Sequence, residues 1–449
     1  MNTNTYLTLG VRRRGLPVLG LLVALTSLAA CDLTVPDPNA TTNEDAYQTR
    51  AGLIASTVGL QLQYNATAYQ TLVLTTGITS RELAADFTFA NLLELDAGGA
   101  ALDPSNANLT GYFREMIQTI STASAIIEGA QTTETVEPEL QSGIVALAEF
   151  YKAASVGALA IGFTDVVVDP TQEGSATYLS REDAFQEAAD LLASAEDRLT
   201  ATPPNSAFTN TLPDGFDLLN SVRAYRARFE LFAGNLDEAL AAAGRVAPEA
   251  TSVFAYSGTV QNPLYQAIEP SIQSQPSFAV RDNLGLENVE ANDGRIDYFT
   301  EDNPDTSVNG YPIETATGFI VGGNDGPLPV YVPDEMRLIE AEVYARTNRP
   351  GLAVEAINAV RTDEEDPFGL AANLPEYDGA TTETALLDEI FYNRATELYL
   401  QGLRLEDARR LNQGEPDPSD SFQRTRNFYP FPQQERLASP DTTPADPAI

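Results

Sequence analysis

Twice in this chain a helix runs into a tight turn and back into a second helix, and that device constrains the fold more than any other feature. From Leu219 to Phe232 apolar residues recur at helical spacing, Gly234-Asn235 supplies a turn, and Asp237 to Val246 reads as the returning helix, with Ala239 near its start. Asp334 to Arg346, the turn Asn348-Arg349-Pro350-Gly351 and Leu352 to Val360 repeat the pattern. Antiparallel helices approach closely only where the crossing residue is small, which is the logic of tetratricopeptide repeats. The pairs are irregularly spaced, so the pattern predicts helical hairpins with interruptions.

Ser180 to Leu199 is the clearest single helix. Ser180 suits an N-cap, Asp183 approximates a capping box, and Ala184, Phe185, Ala188, Leu191, Leu192, Ala195 and Leu199 share one face. Gly111 to Ala130 and Glu139 to Phe163 also read as helices, the second apolar nearly all round and so predicted to be buried. From about Thr251 to Pro333 periodicity gives way to turn formers such as Asn292-Asp293-Gly294, Asn309-Gly310 and Asn324-Asp325-Gly326-Pro327, interleaved with aromatics. A structureless loop of that length does not suit a compact domain, so an irregular subdomain with short strands is expected. Asp86 to Pro104 reads as a second loop-like stretch, carrying Phe87, Phe89 and Asn91. The predicted fold class is mainly α: tetratricopeptide-like helical hairpins with a large irregular, loop-rich insert containing short strands.

Composition removes whole classes of chemistry. There is no His and no Trp, and Cys31 is the only cysteine. A Ser-His-Asp triad, a His-containing zinc site and an internal disulfide are therefore excluded. With 64 acidic against 26 basic residues the net charge is −38, which argues against a nucleic-acid partner. Lys152 is the only lysine; every other cation is arginine. The acidity fits either a salty medium, where repulsion is screened, or ordinary acidity in a high-GC genome. Carboxylate chemistry, calcium binding and binding without catalysis remain. No segment has the D-x-[DN]-x-[DN]-G calcium loop; Asp302, Asp305 and Asn309-Gly310 come nearest with the wrong spacing. No obligatory metal and no cofactor are expected.

The N-terminus reads as an address. Arg12, Arg13 and Arg14 precede an apolar run from Leu16 to Ala30, too short to span a bilayer comfortably. The run ends in Leu28-Ala29-Ala30-Cys31, which resembles a bacterial lipobox and makes Cys31 the expected lipidation site. Acyl chains on that residue would hold the protein at a membrane. Asp32 to Asn43, with Pro36 and Pro38, reads as a tether, and no later segment reads as apolar enough to cross a membrane. The expected organisation is a leader over residues 1–30, a tether over 31–43, N-terminal helical hairpins over 44–250, the insert over 251–333, and a C-terminal helical region over 334–449.

Arg394-Ala395-Thr396-Glu397-Leu398-Tyr399-Leu400-Gln401-Gly402-Leu403-Arg404-Leu405-Glu406-Asp407-Ala408-Arg409-Arg410, together with the lipobox, resembles the SusD/RagB family of bacterial outer-membrane lipoproteins, whose motif runs R-x-x-E-L-x-x-E-G-x-R-x-x-D-L-x-R, with Gln401 for its second glutamate and Ala408 for its leucine. Phe428 to Glu435 resembles the closing "PIP…E" element, and Arg337 to Arg361 the family's helix pair. Read along one helix, Arg394 with Glu397 and Arg404 with Asp407 are i,i+3 pairs. The competing reading is a carboxylate pair, Glu397 and Asp407. Ten residues of helix span about 15 Å, beyond the roughly 5–10 Å of glycosidase pairs, so a structural role is expected.

The resemblance implies a surface-exposed, non-catalytic lipoprotein of the cell outer membrane, facing outwards, that passes nutrient to a SusC-like TonB-dependent transporter. It implies an oligosaccharide ligand, with a peptide as the alternative, contacted by the loop after the first helical hairpin and by the insert. On this sequence the implied stacking residues are Phe87, Phe89, Tyr298 and Tyr311, and the polar contacts Arg81, Asp86 and Asn91. Without Trp, the narrower rings of Tyr and Phe must supply the platform. A carboxylate-based glycoside hydrolase and a tetratricopeptide-like scaffold are the competing functions.

Overall fold

Ser180 caps its helix as its sequence predicts: its hydroxyl accepts from the Asp183 N–H at 3.2 Å, and the helix runs Arg181–Ala201. The computed structural model describes residues 46–447 apart from 171–175, 270–276, 304–305 and 412; Cys31, the leader and the tether lie outside the described residues. Glu44–Ile449 forms one compact unit.

Helices α1 (Arg50–Gln63) and α2 (Tyr69–Thr79) are joined through one π-helical turn and lead to α3 (Ala90–Ala97), α4 (Ala107–Thr132) and α5 (Pro138–Gly162). α6 (Arg181–Ala201) and the hairpin of α7 (Leu218–Ala233) and α8 (Leu236–Ala243) follow. Beyond the insert come the hairpin of α9 (Asp334–Arg346) and α10 (Pro350–Arg361), then α11 (Glu383–Glu397) and α12 (Arg404–Arg410). Both predicted hairpins are present. Gly234, at φ 86°, ends α7 with its own N–H on Leu231 O and the Asn235 N–H on Glu230 O, which satisfies carbonyls a helix end leaves open. Ala239 and Ala353 are fully buried where the returning helices cross.

α5 is the central helix and is buried along almost its whole length, as its composition predicts. Gly157 explains how closely α7 approaches it: a Cβ there would lie 2.1 Å from the Phe229 ring. By length and composition alone α5 would pass for a membrane span, which corrects the expectation that no segment after the leader is apolar enough; in the fold its apolar window is wholly buried.

Two further expectations are corrected. Asp86 to Pro104 is not a loop throughout, because α3 forms within it and buries Leu92 and Leu95; Gly98-Gly99 and Pro104 hide its short period. The Arg394 motif is not one helix either. α11 stops at Glu397, and a reversal with positive φ at Leu400 (54°) and Gly402 (75°) starts α12 at Arg404. The partners therefore change: Arg394 meets Asp407 at 2.9 Å, Arg295 meets Glu397 at 3.4 Å and Arg404 meets Glu82 at 3.7 Å. All six side chains are buried, so the motif ties the C-terminal helices to the segment after α2 and to the insert.

Asp334, at the start of α9, gives a testable pH signature. Burial, reinforced by Asp363 and Asp366, pushes its carboxyl up to about 7. The fold thus holds that proton more tightly than the unfolded chain, whose aspartates titrate near ~3.9. Stability from this group is present at low pH and is lost as pH rises through about 7. In urea titrations Asp334→Asn is expected to gain stability over wild type as pH rises from 4 to 8, by on the order of 1–3 kcal/mol, and to level off above. An advantage independent of pH would contradict this.

Candidate ligand-binding site

The loop after α2 and the insert meet at one short sheet. Leu83–Ala85 pairs antiparallel with Phe278–Val280, placing Leu83 opposite Val280 and Ala85 opposite Phe278. The insert then returns along the same edge, with the Glu314 N–H on Val280 O at 3.1 Å and Arg281 bridging Ile313. In between, Ser307–Val308 pairs with Tyr311–Pro312 around Asn309-Gly310, both at positive φ (49° and 87°). Asn309 Nδ2 donates to Ala85 O at 2.7 Å, which fixes this hairpin against the strand leading into Asp86 and Phe87.

Phe87 and Phe89 form the aromatic part on the loop side. Their ring centroids are 4.0 Å apart with planes 30° apart; Phe87 rests half-buried on the core and Phe89 is 52% exposed. On the hairpin side, the Arg281 guanidinium lies 4.3 Å from the centre of the Tyr311 ring and 5.9 Å from that of Phe422. Phe422 is 43% exposed and also lines a cleft of about 220 Å³ with Ser80, Leu286, Tyr392 and Gln413. Burial and then the neighbouring Arg81 push the Arg281 guanidinium down to about 10. Asp86 is half-buried, its N–H donates to Ser277 O at 3.0 Å, and burial raises its carboxyl above the usual range.

Three of the predicted contacts have other positions. Arg81 is only 1% exposed, and its guanidinium donates to Asp96 Oδ1 (3.2 Å) and to the carbonyls of Asp96 (3.0 Å), Pro418 (3.1 Å), Asp420 (3.4 Å) and Gln423 (3.3 Å). It lies beneath the site, its guanidinium 5.2 Å from the centre of the Tyr311 ring. Asn91 is half-buried in the first turn of α3, and its carbonyl accepts from Asn106 and Asn108 at 2.8 and 3.2 Å. Tyr298 packs on Phe299 (5.1 Å) and Phe319 (6.0 Å) and lines a different, open cleft of about 730 Å³ with Glu301, Asp302 and Glu314. None of Phe87, Phe89 and Tyr311 lines that cleft. Phe422 and Arg281 were not legible as site residues: the segment carrying Phe422 has no periodicity, and Arg281 is one arginine among many.

The arrangement offers exposed aromatic faces over a cationic floor. Glu397 and Asp407, the carboxylates considered for hydrolysis, are both buried and ion-paired. What the surface can do is bind a ligand with an apolar ring face.

No protein-family model matches this chain, and no curated protein does. Among solved structures it is similar to a SusD superfamily protein from Bacteroides thetaiotaomicron VPI-5482, with a TM-score of 0.68 at 13% identity over 90% of this chain and 100% of that one. A SusD-like carbohydrate binding protein from Bacteroides fragilis NCTC 9343 gives a TM-score of 0.66 at 16% identity, over 89% and 100% of the two chains. Surface glycan-binding protein A from Bacteroides thetaiotaomicron, in complex with laminarihexaose, gives 0.65 at 14% identity, over 88% and 99%. The fold is the SusD-like one.

Proposed function

We propose that this chain is a SusD/RagB-family lipoprotein that binds an oligosaccharide without turning it over and passes it to a SusC-like TonB-dependent transporter. Lipid on Cys31 anchors it to the outer membrane, facing outwards. The observation that carries this reading is the meeting of two loop segments, distant in sequence, that set the Phe87–Phe89 pair and Tyr311 against one strand on a SusD-like fold. A sugar ring presents C–H groups to such rings, and its hydroxyls suit the amide, carboxylate and guanidinium groups around them. Two of the similar structures are described as a carbohydrate-binding and a glycan-binding protein, which supports the same ligand class. The burial of Glu397 and Asp407 in ion pairs supports binding without hydrolysis.

The test is binding of the full chain, in detergent, to an array of oligosaccharides and peptides. Saturable glycan binding without product is expected. Phe89→Ala and Tyr311→Ala should each weaken it about tenfold, the equivalent of ~1–2 kcal/mol for losing one stacked ring, with unfolding midpoints unchanged. Binding to peptides alone would move the ligand class. Release of shortened sugars would replace this reading with the glycosidase one.

A further inference from the structure

On a chain of net charge −38, four arginines line one open cleft of about 320 Å³, with Phe428 as its apolar wall. Arg181 opens α6, Arg409 and Arg410 end α12, and Arg424 lies in the non-periodic segment that follows. Arg410 is matched by Asp407 and Glu342. The other three are not matched in charge. Arg181 and Arg409 share one buried carboxylate, Glu406, and Arg181 has a second, exposed partner in Glu182. Such an exposed pair neutralises little.

Arg424 is 5% exposed and has no carboxylate within ion-pair distance among the described residues. It donates to neutral acceptors: Asn427 Oδ1 at 2.7 Å and the carbonyls of Gln413 and Gly414 at 3.1 and 2.9 Å. Neutral acceptors satisfy N–H groups and leave the positive charge in place. The Phe428 ring lies 4.3 Å from the Arg409 guanidinium and 5.6 Å from that of Arg181, which stacks the cations without neutralising them. The excess is felt locally. Burial and then Arg409 lower the Arg424 guanidinium, while burial and Arg181, against Glu406, lower that of Arg409. Glu415, exposed on the same cleft, offsets part of this through solvent.

We propose that this cleft binds an oxyanion: a sulfate or phosphate group, free or carried as an ester on a saccharide. Planar guanidinium forks suit such groups, and the bound anion supplies the negative charge that the protein omits here. The proposal does not depend on the glycan reading, because neither Phe89 nor Tyr311 lines this cleft.

Equilibrium dialysis of the full chain in detergent against labelled inorganic sulfate, at ionic strength fixed with sodium chloride, tests it. One saturable site is expected. Arg181→Gln and Arg424→Gln should each weaken it about tenfold or more. Arg50→Gln, in an exposed pair elsewhere, should leave it unchanged. If Arg424→Gln does not fold, Arg181→Lys, which keeps charge without the fork, should still fall between wild type and Arg181→Gln. Glucose 6-sulfate displacing the label better than free sulfate identifies a sulfated sugar as the occupant; equal displacement identifies the ion. Uptake that does not saturate, or that Arg181→Gln leaves untouched, overturns the proposal.

Discussion

Arg81→Ala is expected to destabilise the protein by about 3–5 kcal/mol, the usual cost of removing one partner from a buried charge pair. Asp96 is 7% exposed and would keep its carboxylate with no cation bonded to it. Burial already raises that carboxyl, against the opposing pull of Arg81 and Arg281, and losing Arg81 should raise it further. The carbonyls of Pro418, Asp420 and Gln423 would lose their shared donor as well, freeing the segment that carries Phe422. Some cost is returned, because Arg281 loses a like charge beside it. Arg81→Lys should recover little, since an ammonium cannot span acceptors held by a planar fork. Urea unfolding measures the loss, and hydrogen exchange should show the 418–424 backbone opening first. A variant with wild-type stability and selectively lost glycan binding would return Arg81 to the role of ligand contact.

That prediction also marks where sequence reasoning stops. Arg81 stands five residues before Asp86 in a segment that does reach the site, so proximity along the chain suggested a contact. Its acceptors lie up to 342 residues away, and no local pattern encodes them. Tyr298 is grouped with Tyr311 for the same reason: the insert's aromatics look alike in sequence, and only strand pairing separates the Tyr311 hairpin from the cleft that Tyr298 lines. What periodicity and capping chemistry encode was legible, from Ser180 as an N-cap to the buried α5 and the Gly234 turn. α3 was lost because eight residues between turn formers give little period to read. The Arg394 motif misleads differently, since its i,i+3 spacing suits one continuous helix, whereas the positive φ of Leu400 and Gly402 reverses the chain.

The second large effect concerns Arg228 and Glu335, which join α7 to α9. Arg228 donates through Nε and Nη2 to the two Glu335 oxygens at 2.7 and 2.6 Å, with side chains 5% and 0% exposed. Burial opposes the charge, but Glu335 holds the guanidinium above its ordinary range, and the Tyr225 ring lies 4.2 Å from it. Glu335→Ala or Arg228→Ala should therefore cost about 3–5 kcal/mol, because each strands a buried charge. The double change Arg228→Met with Glu335→Leu should cost far less than the two singles together, since neither charge is then left unpaired. Glu335 follows Leu328–Tyr331, whose pairing with Ser252–Phe254 closes the base of the insert that carries Tyr311. Glycan binding should accordingly fall with stability in both single variants and return in the double. A double variant as unstable as the sum of the singles would mean that the pair acts through the fit of its atoms rather than its charge. Binding lost in the double at restored stability would place Arg228 or Glu335 in direct control of the insert.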